Sequence, residues 1–365
     1  LASGIPVLEV SKEYNQESQT LKLNIKQKQD LSVMPLYTLP IDIDLYYKEQ
    51  KERKRIIINK SEQEFTFNVS GEPQLVNFDA ERQLLCKTTY SKTVEEYIYQ
   101  YKNAPLFSDR KEALFNLKDK LADSLIFETM LSAAKKDNWW EIRIMAIRFL
   151  EQSLNFKKDE FKSFFANIAL TDSNTNVAST ALYYLGKHYS GKDVDSLCLV
   201  FLNSKSNKLK VTALDIIYTH NSKLFLDTVD AFWTENSKDL LKTIAKGYSV
   251  LGTDEHIIFF NKIRYKILER DSYWYIDYYT DLVSKCNSIN SFSLAFDDCI
   301  EIIKNNAKNK DICKYVLQKS EQNIIGSLKR IELILRKQTN PNKEAIIEIN
   351  KLLNRINNKL NTYKI

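Results

Sequence analysis

Glycine and proline are scarce in this chain, with seven and six copies in 365 residues, against average usage of about 7% and 5%. So few breakers argue against a turn-rich all-β protein and for long stretches of helix. Histidine is rarer still. His188, His220 and His256 stand far apart and none opens a His-Glu-x-x-His run, so the sequence offers no helical zinc pair at i and i+4. The five cysteines (Cys86, Cys198, Cys286, Cys299, Cys313) include no C-x-x-C pair, which excludes a zinc knuckle or a dithiol redox motif. They are expected to be mostly buried thiols, a disulfide between some pair being the alternative, and the compartment stays open. No G-x-S-x-G elbow occurs, and Gly247 and Gly252 belong to no phosphate-binding loop. No run of about 18 apolar residues is present, so no membrane-spanning helix is expected. The opening Leu1-Ala2-Ser3-Gly4-Ile5-Pro6 has neither a basic start nor an apolar signal core, and reads as the middle of a longer protein.

What is present is ordinary in amount and uneven in placement. An apolar fraction of 44% and a charged fraction of 27% are those of a folded, water-exposed protein. A chain of this length exceeds one core, so two or more domains are expected. The net charge is +6, and residues 301–365 hold fourteen Lys and Arg against six Asp and Glu. No base-stacking aromatics or nucleic-acid docking module accompany that excess, so no nucleic-acid partner is expected. Solvated helix faces explain it, with a docking surface for an acidic partner as the alternative.

The apolar period changes once, near Tyr90. Before that point Leu21, Leu23 and Ile25 alternate with polar residues, as do Ile41, Ile43 and Leu45, and Phe65, Phe67 and Val69. Such alternation puts one face on a core and the other in water. Shorter runs at 6–10, 55–58 and 75–78 bring the expected total to six or seven strands in an antiparallel sandwich. The basic run from Lys48 to Arg55 is expected to be a solvated turn between strands, rather than a nuclear signal or polyanion patch.

After Tyr90 the spacing is helical and a longer repeat emerges. Ala113, Ala146, Ala181 and Ala213 lie 33, 35 and 32 residues apart, and each is followed by Leu or Ile. Ala245 fits as a fifth copy. A small residue beside a large one at fixed register lets successive helices pack closely, as in stacked helical hairpins. The reading is therefore a multidomain α and β protein. A small antiparallel β-sandwich, residues 1–90, precedes an all-α HEAT/armadillo-like superhelical solenoid of paired antiparallel helices, residues 91–365. Long terminal helices are expected over about 320–337 and 342–360. The aromatic cluster Tyr273, Trp274, Tyr275, Tyr278 and Tyr279 is either packing between layers or the lining of a concave surface that contacts peptide. Trp139 and Trp140 read as packing. Asp297-Asp298 reads as a capping pair at a helix start rather than an acid–base pair.

The order of motifs resembles one known family. Gly4-Ile5-Pro6-Val7-Leu8-Glu9-Val10, Tyr14 and Leu21-x-Leu23-x-Ile25-x-Gln27-x-Gln29 resemble the start of the β-sandwich domain of aminopeptidase-N family zinc metallopeptidases. Pro35-Leu36 and Pro40-Ile41-Asp42-Ile43 look like its next strands, and Asn77-Phe78-Asp79 with Leu84-Leu85 like its end. Gln100-Tyr101 and Asp109-Arg110-Lys111-Glu112-Ala113-Leu114 look like the first helical repeat of the same proteins. The resemblance spans about residues 4–150 and continues only as the repeat pattern. It implies the region after a thermolysin-like catalytic domain, in a protein that removes N-terminal residues from peptides. Zinc would sit in that other domain, and the solenoid would cover the active site and control peptide access. Partners implied are the N-terminal and catalytic domains and peptide substrates. Neither His-Glu-x-x-His nor G-x-M-E-N occurs in this chain, so no catalytic, cofactor-binding or metal residue is assigned and the chain alone is expected to be inactive. A non-catalytic scaffold of the same architecture, and a free-standing helical-repeat adaptor, are the alternatives.

Overall fold

The computed structural model describes residues 4–48, 50–267 and 271–363, and the side chains of 154–159 also fall outside the description. Leu1-Ala2-Ser3 and Glu49, which entered the sequence readings above, thus lie outside the described residues. The chain forms two compact units, Leu1–Phe161 and Lys162–Ile365.

The first unit opens with seven strands: β1 (Val7–Asn15), β2 (Thr20–Gln27), β3 (Leu39–Tyr46), β4 (Lys51–Ile58), β5 (Glu62–Asn68), β6 (Leu75–Phe78) and β7 (Lys87–Tyr90). They make two sheets, ordered β5-β2-β1-β7 and β4-β3-β6. The alternation read in the sequence becomes the inward face of each. Leu21, Leu23 and Ile25 from one sheet meet Ile41, Ile43 and Leu45 from the other in a single core with Leu8, Ile56, Ile58 and Phe78. Each such side chain contributes about 1.5–3 kcal/mol on burial.

Two expectations need correction. The sandwich is not wholly antiparallel: β7 runs parallel to β1, from Val7 opposite Lys87 to Val10 opposite Tyr90. Lys87-Thr88-Thr89-Tyr90 has no apolar alternation and its side chains are largely exposed, so nothing in its pattern announced a strand. Nor is the basic run a solvated turn. Lys51 to Arg55 lie in β4, where Arg53 stands opposite Asp44 and Arg55 opposite Asp42 of β3. Asp44, 2% exposed, accepts hydrogen bonds from Arg53 Nε at 2.6 Å, Arg53 Nη2 at 2.9 Å and Lys51 Nζ at 3.0 Å. The cations neutralise carboxylates on the neighbouring strand, a cross-strand pairing that stabilises the ladder.

Helices α1 (Val94–Asn103), α2 (Phe107–Leu117), α3 (Ser124–Lys136) and α4 (Trp140–Glu151) complete this unit, and α5 (Leu154–Thr171) carries the division between the two. Thr93 and Glu96 close a capping box at the start of α1, satisfying two of its free N–H groups. Asp123 caps α3 through the N–H groups of Leu125 and Ile126. The sandwich is bolted to α1 and α2 by a charged cluster. Asp109 on α2 is fully buried. It accepts from Asn77 Nδ2 of β6 at 3.2 Å and from Arg82 Nε at 2.6 Å, while Gln100 Nε2 of α1 donates to its backbone carbonyl at 2.8 Å. Arg82 also pairs with Glu112, which accepts from Lys92 Nζ at 3.2 Å. Arg82 takes a left-handed backbone, φ +50°, an uncommon conformation for a long side chain that its two carboxylate partners hold in place.

The second unit contains α6 (Thr175–His188), α7 (Lys192–Leu202), α8 (Asn207–His220), α9 (Ser222–Val229), α10 (Lys238–Leu251), α11 (Ile257–Ile263), α12 (Ser272–Val283), α13 (Ile289–Asn305), α14 (Lys310–Lys319), α15 (Gly326–Arg336) and α16 (Lys343–Asn361). A π-helical turn, Ser320–Ile325, joins α14 to α15. Alternate helices pack in sequence order, α6 on α8, α8 on α10, α10 on α12 and α12 on α14. The repeat alanines sit on alternate helices in both units. Ala113, Ala146, Ala181, Ala213 and Ala245 belong to α2, α4, α6, α8 and α10, and every one is fully buried. One glycine shows how close the helices come: a Cβ at Gly247 of α10 would lie 2.1 Å from the Phe225 ring of α9.

Candidate functional site

The stack of α8, α10 and α12 leaves an open groove of about 730 Å³ on its solvent side. Its walls are set by helical spacing. Lys208, Thr212 and Asp215 recur at i, i+4 and i+7 along α8, and Asp239, Lys242 and Lys246 at i, i+3 and i+7 along α10, so each set lines one stripe. Thr243, 7% exposed, lies beneath, and Tyr278 of α12 closes the far side. Hydrogen bonds hold the groups in register. Lys208 Nζ donates to Asn176 Oδ1 at 2.7 Å, the hydroxyls of Ser179 and Thr212 lie 2.9 Å apart, and Lys246 Nζ reaches Asp215 Oδ1 at 3.5 Å. Lys242 has no ion-pair partner among the described residues. The groove therefore presents donors and acceptors at intervals beside an aromatic ring. Sequence reasoning passed over its lysines and threonines. Their helical spacing along α8 and α10 was the signal that could have found them.

The aromatic cluster is core only in part. Tyr275 and Tyr279 are core, both 0% exposed. Tyr275 donates to the Phe260 carbonyl at 2.9 Å. Tyr279 donates to Asp298 Oδ2 at 2.7 Å and stacks on Phe260 at 4.7 Å between centroids. Tyr278, next to them in sequence, faces the groove, with Trp274 6.1 Å away. Tyr273 turns to Tyr315 at 5.0 Å. Trp139 and Trp140 remain 51% and 36% exposed, Trp139 leaning on Phe107 at 5.6 Å, so their packing is partial.

Asp297-Asp298 does not start a helix. Both lie inside α13, because the helix begins eight residues earlier at Ile289. Asp298, 1% exposed, pairs with Arg264 and accepts from Asn261 Nδ2 at 3.1 Å, while Asp297 pairs with Arg355 on the surface. The α13 start is served instead by Asp254, which accepts from the N–H groups of Asn287 at 3.1 Å and Ser288 at 3.0 Å and from Ser291 Oγ at 2.5 Å. Burial pushes that carboxyl up, and these donors more than reverse the push, leaving it below its ordinary value.

The structure keeps the three histidines apart. His188 stacks on Tyr184, His220 ends α8, and His256 Nδ1 accepts from the Thr253 N–H at 2.9 Å. Among the described residues no group of His, Cys, Asp and Glu is placed to hold a metal ion. All five cysteines are free thiols. Burial pushes Cys198 and Cys286 up to about 12 and Cys299 up to about 11, which leaves them protonated and unreactive. Among the described residues no helix is long and apolar enough to cross a membrane.

No family model matches the chain. No curated protein matches it either. Among solved structures it is similar to the crystal structure of Legionella pneumophila aminopeptidase A in complex with aspartic acid, at 13% identity and a TM-score of 0.46. That alignment takes in 97% of this chain and 49% of the Legionella chain, so the present chain spans about half the length of the protein it matches.

Proposed function

We propose that this chain is the non-catalytic sandwich-and-repeat region of a zinc-dependent aminopeptidase that removes N-terminal residues from peptides. In this reading the active site lies in another domain, and the helical repeats govern which peptides reach it. The observation that carries the reading is the meeting of the motif segments. Asn77, from the segment that resembles the family's sandwich exit, bonds to Asp109, from the one that resembles its first repeat. Gln100 and Glu112, from the same motifs, close the cluster with Arg82. Residues far apart in sequence are thus spent on one joint between sandwich and helices, which supports reading the ordered motifs as one inherited unit. The groove on α8, α10 and α12 supplies a surface on which a peptide could be steered. In this reading the zinc ligands belong to the other domain, and no residue of this chain is assigned a catalytic step.

The test compares the full-length gene product with the chain alone on aminoacyl amides and short peptides. Release of N-terminal residues by the full-length protein, abolished by chelation and restored by zinc, with an inert chain alone, supports the proposal. Zinc-dependent release by the chain alone would falsify it. An inert full-length protein would favour the scaffold reading.

A further inference from the structure

Within the first unit, where β6, β7 and α2 approach one another, the fold leaves a polar pocket of about 290 Å³ that opens to solvent. Arg82, Cys86, Thr88, Tyr90, Lys92 and Glu112 line it. Two of these groups are short of partners. The Lys92 side chain is 2% exposed and pairs with Glu112 alone. Its ammonium otherwise rests over the rings of Tyr90 and Tyr97, 5.1 and 5.6 Å from their centroids. An ammonium carries three donors, and one of them finds an acceptor. The Tyr90 hydroxyl is buried with no hydrogen-bond partner, a condition costly enough to call for an occupant of the space beside it.

The charges around the pocket say what kind of occupant fits. Glu112 is shared by Lys92 and Arg82, and Arg82 also pairs with Asp109. Asp79, which also lines the space, has its oxygens engaged by the backbone N–H groups of Gln83 at 3.2 Å and Leu84 at 3.3 Å. The carboxylates are thus spoken for, while the ammonium and the phenol still have hydrogens to give. A guest must bring acceptors. The volume lies at the lower edge of small-molecule sites, which run from about 300 to 1,000 Å³, so the guest is small. We propose that this pocket is a binding site for a small oxyanion, inorganic phosphate or a short carboxylate, held by the Lys92 ammonium and the Tyr90 hydroxyl. Burial pushes Lys92 down and Glu112 beside it pulls back; a bound anion would reinforce the charged form. Because the lining comes from the sandwich and from α2, occupancy ties the two together and stabilises the unit.

The experiment titrates the chain with sodium phosphate and, separately, with sodium acetate, at ionic strength held constant with sodium chloride. Binding is read by calorimetry and by melting temperature. The expected result is saturable binding of at least one ion with a rise in Tm, the better ion identifying the source. Tyr90→Phe, which keeps the ring and deletes the donor, should weaken binding by at least about tenfold. A second readout needs no variant: chemical acetylation of Lys92, followed by mass spectrometry, should slow when the bound ion is present. Neither ion binding beyond the chloride control, or undiminished binding by Tyr90→Phe together with unprotected Lys92, overturns the proposal.

Discussion

Asp44 is buried on the face of β3 turned away from the sandwich core, and it remains a carboxylate because Arg53 and Lys51 reach it from the next strand. Burial pushes its pKa up, and the hydrogen bonds and charges of those cations bring it below the ordinary 3.8. A depressed carboxyl pKa contributes stability that is fully present above the unfolded value and is lost as pH falls through the folded value. Urea titrations of the chain should therefore lose stability progressively below about pH 3.8, and Asp44→Asn should flatten that part of the profile while leaving the neutral-pH slope alone. Asp109 is the harsher case. Removing one partner from a buried pair strands the other, at a cost of about 3–5 kcal/mol. Asp109→Ala should lower the urea midpoint accordingly, since Arg82 and Asn77 both lose their acceptor. A change under about 1 kcal/mol would mean that the cluster is solvated and does not join sandwich to helices.

Successive helices meet through small residues. Ala146→Leu or Ala181→Leu would drive three extra heavy atoms into fully buried positions, at about 1–3 kcal/mol each. Gly247→Ala should be destabilising for the same reason, because the new methyl would enter the Phe225 ring. Thermal melts unchanged by all three would show that these positions are not the seams. The alanine register was legible in the sequence because packing repeats with the helices and leaves a period. The strand alternation of β2, β3 and β5 was legible because each has one wet face. β7 was not, since it earns its place by pairing with β1 rather than by burying a face. The Lys51–Arg55 stretch misled because charge reads as solvent when its partners, Asp42 and Asp44, come from a strand whose register the sequence does not print. Asp254, 33 residues before the backbone it caps, is equally invisible to a local rule.

At the level of the molecule, the groove on α8, α10 and α12 offers the sharpest functional test. On the proposed function, Lys242→Glu and Tyr278→Ala in the full-length protein should raise KM for peptides of several residues by about 3–10-fold and leave turnover of single-residue amides unchanged. Equal effects on both substrates would mean that the groove does not touch peptide. Little of this surface was readable beforehand, because the groove is assembled from several helices and its residues look like any solvated stripe until the helices are stacked. Tyr278 shows the difficulty: its neighbours Tyr275 and Tyr279 vanish into the core, and only the turn of the helix separates them from it.

The parallel pairing of β1 with β7 has a mechanical meaning. The polypeptide enters the sandwich at the start of one strand and leaves for α1 from the end of its parallel neighbour. Tension applied between Gly4 and Val94 would load the rungs between these strands in shear, all at once, instead of peeling them open singly. In a pulling experiment the sandwich should hold to a higher force along this axis than when drawn across β4 and β3, whose hairpin can unzip rung by rung.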